Sequence, residues 1–229
     1  MRLAIIPARG GSKRIPRKNI KAFCGKPMIA YSIEAALKSG CFDKIVVSTD
    51  DEEIATMARS LGAEVPFMRP KELSDDHTAT IPVIAHAITA SVRDIKDVEA
   101  VCCIYATAPF VQPQYIQEAY EKLIKTNSAY AFSATSFPFP IQRAIRLTKD
   151  DRVEMFSPEH FNTRSQDLEE AFHDAGQFYW GTPEAWLEGK IIFAPHSTAV
   201  LLPRHLVQDI DTPEDWVRAE FMYKALALS

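Results

Sequence analysis

Short apolar runs alternate with stretches of helical period through the first two thirds of the chain. Residues 3–7 form the first strand-like run. Pro27 then opens a helix at its first position, with Ile29, Ile33 and Leu37 on one face and Gly40 just beyond its end. A second strand is predicted over 44–48, an acid-started helix over 51–61 ended by Gly62, and a third strand over 64–67. A helix over 80–92, a buried strand over 100–105, a helix over 114–126 and a strand over 130–136 continue the rhythm. Strands separated by helix-length segments need crossover connections, so the pattern predicts an α/β fold of Rossmann-like type, with a mainly parallel sheet flanked by helices.

The rhythm breaks over 137–171 into prolines, charges and short segments. This stretch also carries Phe137, Phe139, Ile141, Ile145, Met155, Phe156 and Phe161, an apolar liability on a monomer. It reads as a small dimerisation extension on a single domain spanning 1–229. Strands are predicted again over 177–180, 191–194 and 200–202, and the chain closes on a helix over 213–226 with Thr212 as its N-cap.

Composition narrows the function. The chain has 229 residues, 47% of them apolar, which is enough for one sizeable core. Its net charge is −4, yet residues 1–26 hold eight Lys or Arg and no acid, so positive charge is concentrated at one end against the global trend. That pattern predicts a local anion site and argues against a general nucleic-acid binder. The cysteines Cys24, Cys41, Cys102 and Cys103 have no metal-binding spacing, and they read as buried thiols in a reducing compartment. With no signal-peptide pattern and no apolar stretch near 18 residues, a cytoplasmic protein without membrane attachment is expected.

The anion site is predicted in the loop after the first strand, Ala8-Arg9-Gly10-Gly11-Ser12-Lys13-Arg14-Ile15-Pro16-Arg17-Lys18-Asn19. In such sheets, ligands bind beyond the carboxyl ends of the strands. Gly10 and Gly11 let backbone N–H groups face an anion, and Arg9, Lys13 and Lys18 offer charge-assisted hydrogen bonds. Neither the P-loop pattern nor the dinucleotide GxGxxG fingerprint is present. A second site is predicted at Asp209 and Asp211, whose i, i+2 spacing on an extended segment turns both carboxylates to one face, within reach of one hard cation. Alternatively, Asp211 serves the following helix, although Thr212 and Asp215 already supply a cap and a first-turn acid. No Ser-His-Asp or Cys-His nucleophile order is evident.

The loop resembles the signature of the CMP-sialic acid synthetase family, the nucleotidyltransferases that activate nonulosonic acids. The blocks Phe42-Asp43-Lys44-Ile45-Val46-Val47-Ser48-Thr49-Asp50, Arg69-Pro70-Lys71-Glu72-Leu73 and Asp209-Ile210-Asp211-Thr212 resemble family blocks in the same order. The resemblance implies CTP as one substrate and a small sugar acid as the other, with magnesium, or alternatively manganese, on Asp209 and Asp211, and a homodimer. It places Arg9, Ser12, Lys13, Lys18 and Asn19 on the triphosphate, with Ala8, Gly10 and Gly11 alongside, and Arg69 at the cytidine end. Read alone, Arg69-Pro70 is equally a turn. Thr78 and Thr80 offer donors to ribose or phosphate, although helix capping accounts for one of them. Lys18, Asp209 and Asp211 are the expected catalytic groups.

The sugar end departs from the sialic acid pattern. Tyr105-Ala106-Thr107-Ala108-Pro109-Phe110-Val111 lacks an amide and a guanidinium found there, and His173-Asp174-Ala175-Gly176-Gln177-Phe178-Tyr179-Trp180 presents more aromatic surface. With Arg164-Ser165-Gln166-Asp167-Leu168, these blocks resemble the branch acting on pseudaminic acid, a methyl-terminated diacetamido sugar; N-acetylneuraminic acid is the alternative. Tyr105, Thr107, Gln166, Asp167, His173, Asp174, Gln177 and Phe178 are the expected sugar contacts, and for Phe178 or Trp180 alone a core position is equally expected. Two readings from other classes stand beside this one. A nucleic-acid module would use the basic terminus, and a regulatory CTP sensor would keep the loop without needing the aspartate pair.

Overall fold

Five strands running one way and a sixth running against them make the central sheet. A computed structural model describes residues 1–226. In chain order the elements are β1 (Arg2–Pro7), β2 (Ala22–Phe23), β3 (Lys26–Pro27), α1 (Met28–Ser39), β4 (Lys44–Ser48), α2 (Glu52–Ser60), α3 (Thr80–Ser91), β5 (Ala100–Ile104), α4 (Pro113–Thr126) and β6 (Tyr130–Ser136). There follow β7 (Ile145–Leu147), β8 (Val153–Met155), β9 (Phe172–Gly181), α5 (Pro183–Leu187), β10 (Ser197–Leu201) and α6 (Pro213–Leu226). The sheet order is β10-β6-β9-β5-β1-β4. β1 pairs parallel with β4 and β5, and β10 parallel with β6, while β9 lies antiparallel between β5 and β6.

Parallel strands buried on both faces read as continuous apolar runs. β5 (Ala-Val-Cys-Cys-Ile) is buried throughout, and its alternate residues feed two cores. Cys102 and Ile104 face α1 and α4 with Ile6, Val47 and Trp180, whereas Val101 and Cys103 face α3 and α5 with Leu3, Ile5 and Trp186. A third cluster joins the chain ends: Phe23 packs edge-on against Tyr31, Trp216 and Tyr223, bringing α6 beside the segment that follows the basic loop.

The expected α/β architecture and mainly parallel sheet are present. Three local expectations differ. Residues 64–67 form only an isolated bridge, Val46 with Glu64, because Pro66 has no N–H to donate. Residues 191–194 make no strand; the edge position on β6 is taken by β10, and Ile191 and Phe193 stay exposed. Pro27 occupies the N-cap position of α1 rather than its first turn.

The direction of β9 matters for the site. As the one reversed strand, it brings its start, Phe172 to Gly176, to the edge where the other five strands end. Residues 137–171 stand off the sheet as a β7–β8 hairpin and single helical turns, with Phe139, Ile145, Leu147, Phe156 and Phe161 exposed. Among the described residues no helix is long and apolar enough to cross a membrane.

Candidate functional site

β1 ends at Pro7, and the basic loop leaves the sheet at its carboxyl edge. Ala8 is fully buried and donates its N–H to the Ser48 carbonyl at 2.9 Å, which fixes the loop's starting point against β4. Gly10 is required by space: a Cβ there would lie 2.7 Å from the Asp51 carboxylate. Its N–H donates to Asp50 Oδ1 at 2.9 Å, so it does not point to an open anion site as the sequence suggested. Gly11 meets nothing within 4 Å. Asn19 is buried and donates its side-chain amide to the Arg9 carbonyl at 2.9 Å, closing the loop on itself.

The loop borders a cavity of about 470 Å³. Around it the fold gathers Arg9, Ser12, Lys13, Lys18 and Asn19 from the loop, Arg69 and Thr78 from the segment before α3, Thr80 at the start of α3, Tyr105 and Thr107 after β5, and Asp211. Four of its cations are already held by acids. Asp76 receives Arg9 at 2.5 Å and Lys13 as well, and these two donors hold its carboxyl below the usual carboxylate range. Asp211 receives Arg14 at 3.1 Å and lies 3.5 Å from Lys18. Lys18 also donates to the Ile210 carbonyl at 2.7 Å, tying the N-terminal loop to the aspartate segment across 192 residues of sequence.

Arg69 forms the floor. It is buried, its Nε donates to Ser48 Oγ at 3.1 Å, and another guanidinium nitrogen reaches the Ser48 carbonyl. Burial lowers its pKa to about 10, which leaves it a cation at neutral pH. Helix capping explains neither threonine. The N-cap of α3 is Ala79, the Thr78 hydroxyl donates to Asp75, and the Thr80 hydroxyl lies 2.9 Å from that of Tyr105.

A second cavity of about 560 Å³ adjoins the first at Tyr105, which lines both. It is bordered by Thr135 and Ser136 at the end of β6 and Pro138 just beyond it, His173 to Gly176 on β9, Arg204, Val207, Gln208 and Asp209, and Arg218 on α6. Asp174 accepts from the Gly176 N–H at 2.9 Å and from the Tyr179 hydroxyl. Burial, with Asp174 nearby, raises the Tyr179 pKa well above its ordinary value, and burial pushes Tyr105 up to about 12, so both act as neutral phenols. Asp209 and Asp211 therefore serve neighbouring cavities, Asp211 the first and Asp209 the second. Asp209 has a face open to solvent, but the surrounding protein and then the charge of Asp211 raise its carboxyl pKa.

Five of the expected sugar contacts do not line this cavity. Phe178 is fully buried in the α1/α4 core, and Trp180 beside it stacks on Phe42, because β9 has neighbours on both sides and helices over both faces. Gln177 is buried and donates its amide to the Leu206 carbonyl, which steadies the backbone leading to Asp209. Gln166 and Asp167 sit on the exposed extension, where Asp167 pairs with Arg164 at 2.7 Å. Thr107 lines the first cavity rather than the second. The sequence reading missed Asp50, Asp76, Arg204 and Arg218. Asp76 lies in the acidic Ser74-Asp75-Asp76 stretch soon after Arg69, which is a faint signal, and the two arginines look like ordinary solvated charges.

Comparison with known proteins agrees with this geometry. A family model described as Cytidylyltransferase matches residues 3–195. The chain belongs to this cytidylyltransferase family. A pseudaminic acid cytidylyltransferase of Campylobacter jejuni is 53% identical over 97% of this chain and 96% of its own. A CMP-N,N'-diacetyllegionaminic acid synthase of Legionella pneumophila is 33% identical over 95% of this chain and 94% of its own. A CMP:2-keto-3-deoxy-manno-octonic acid synthetase solved with CTP superposes with a TM-score of 0.70 at 15% identity, covering 98% of both chains, and so shares the fold. In this cytidylyltransferase the aspartates at 209 and 211 fall beyond the residues matched by the family model.

Proposed function

We propose that this cytidylyltransferase joins CTP to pseudaminic acid, releasing pyrophosphate and forming the CMP-linked sugar. One observation carries the assignment: a basic loop, a buried Arg69 and the Asp209/Asp211 segment surround two cavities that meet at Tyr105. The first has the cations for a triphosphate, and the second has polar groups and an apolar wall of Pro138, Ala175 and Val207 suited to a methyl-bearing sugar. The identity to the Campylobacter enzyme favours pseudaminic acid among the sugar acids.

The aspartates fit a hard divalent cation such as Mg²⁺, with Mn²⁺ as the alternative. Asp209 has its pKa raised partly by Asp211, so the two charges feel each other, and a cation between them would relieve that repulsion. An ion held there would take its remaining ligands from phosphates and water. When bound, such an ion supplies positive charge for the phosphate oxygens and for the acidity of the attacking hydroxyl.

The protein's own residues do the positioning. Arg9 and Lys13 exchange Asp76 for the outer phosphates, and Lys18, held by the Ile210 carbonyl, stays beside the reacting phosphate. The anomeric hydroxyl oxygen of the sugar bonds to the α-phosphorus as the bond to the pyrophosphate oxygen breaks. No side-chain nucleophile is needed. Arg69 offers guanidinium donors at the nucleoside end of the cavity, where a cytosine carbonyl would accept.

The single domain is read as a homodimer whose 137–171 extension covers its exposed phenylalanines against a second copy. Gln166 and Asp167 would reach a sugar only across such an interface. Sedimentation at micromolar concentration should give a dimer, and a clean monomer would contradict this. Pyrophosphate release should be fastest with CTP and pseudaminic acid, with the CMP-sugar identified by mass. Comparable turnover with UTP or ATP, or none with any nonulosonic acid, would overturn the assignment.

A further inference from the structure

Two cations of the second cavity have no acid to hold them. Arg204, in the turn after β10, and Arg218, on α6, both border it, and both are exposed. Among the described residues neither guanidinium donates a hydrogen bond or lies within 4.0 Å of a carboxylate. Asp215 senses the charge of Arg218, but Oδ2 of that carboxylate is committed to Thr212. The loop cations of the first cavity, by contrast, are paired, Arg9 and Lys13 with Asp76, Arg14 and Lys18 with Asp211, and the buried Arg69 there is held by Ser48.

We propose that Arg204 and Arg218 form the clamp for the carboxylate of the sugar acid. This rests on the cytidylyltransferase assignment above and adds the residues that select an acid. The cavity already contains two carboxyl groups, Asp174 and Asp209, so an incoming carboxylate would be repelled unless fixed cations offset them. The guanidinium fork matches a carboxylate in shape and hydrogen bonding. Connectivity also fits. In a 2-keto sugar acid the carboxylate and the anomeric hydroxyl sit on the same carbon, so the anion must be held next to the point of attack. Arg204 and Arg218 border the same cavity as Asp209, whose neighbour but one, Asp211, faces the phosphate loop.

The test uses Arg204→Met, Arg218→Met, the double variant and the corresponding Arg→Lys changes in the full chain. The KM for pseudaminic acid and the inhibition constant of its methyl ester are measured, with CTP affinity measured separately by calorimetry. Wild type should bind the acid more tightly than the ester. Each Met variant should raise the KM for the acid about ten- to a hundredfold while leaving the ester and CTP within about twofold, and Lys should restore part of the loss. An equal loss for acid and ester, no loss at all, or a wild type that binds both alike would overturn the clamp. Normal CTP binding with no pyrophosphate release from any sugar acid would instead sink the cytidylyltransferase assignment, and the clamp with it.

Discussion

The two cavities differ in how their charge is arranged before any substrate arrives. Around the phosphate loop Arg9, Lys13, Arg14 and Lys18 are each matched by an acid, Asp76 or Asp211, and binding an anion on them means exchanging one partner for another. In the neighbouring cavity Arg204 and Arg218 stand unpaired beside Asp174 and Asp209, so an anion entering it gains a partner without displacing one. A triphosphate carries enough charge to win such an exchange, and the same exchange lets the leaving pyrophosphate be replaced by Asp76. A single carboxylate would win it far less easily. The difference suits a site that must release one polyanion and hold one monoanion.

The largest expected effect lies where the cavities join. Asp211→Asn should cut turnover by about 10²-fold or more, because it is nearly isosteric yet removes one of the two cation-directed charges and loosens Lys18 and Arg14. An unchanged melting temperature with near-normal activity at limiting Mg²⁺ would show that the pair is structural. Next comes discrimination in the second cavity. N-acetylneuraminic acid would leave hydroxyls of its longer tail against Pro138, Ala175 and Val207. Each unpaired buried hydroxyl costs roughly 1–3 kcal/mol, so catalytic efficiency should favour pseudaminic acid by on the order of 10²-fold. Equal efficiencies would break this half of the comparison.

Smaller effects sharpen the first half. Asp76→Asn should free Arg9 and Lys13, lowering the KM for CTP and tightening inhibition by pyrophosphate. Exposed ion pairs are weak, so the change should be small and should shrink as salt rises. Weaker CTP binding would mean that Asp76 orients the two cations rather than competing for them. Asp51 lies behind the loop, capping α2 and accepting from Arg17 at 2.5 Å, and that hydrogen bond holds its pKa below the ordinary value. Its contribution to stability is thus present above the ordinary carboxylate pKa and lost as pH falls through the depressed native value. Asp51→Asn should lower stability at pH 7 by about 0.5–1 kcal/mol, with the gap closing in strong acid; a gap that widens on acidification would refute the sign.

The same contrast governs how much was legible in sequence. The first cavity takes many of its residues from one contiguous loop whose residue types and strand context are visible in sequence, and Arg69, Thr78 and Thr80 line the same cavity. The second is assembled from the end of β6, the start of β9, the segment after β10 and α6, and no local spacing links Arg204 or Arg218 to Asp174. Phe178 was misplaced because an aromatic on a strand looks alike whether it faces a cavity or a helix. Only the position of β9 inside the sheet shows that both of its faces are covered. Strands interrupted by proline, such as 64–67, carry the right apolar content but lack the donors that would pair them.

A crystal structure with CTP tests the central claim most directly. The account predicts triphosphate oxygens within hydrogen-bonding distance of Arg9 and Lys13, Asp76 displaced from both, the α-phosphate beside Asp211 and Lys18, and Arg204 and Arg218 still unpaired in an open second cavity. A triphosphate seated on Arg204 and Arg218, with the Asp76 ion pairs intact, would contradict it.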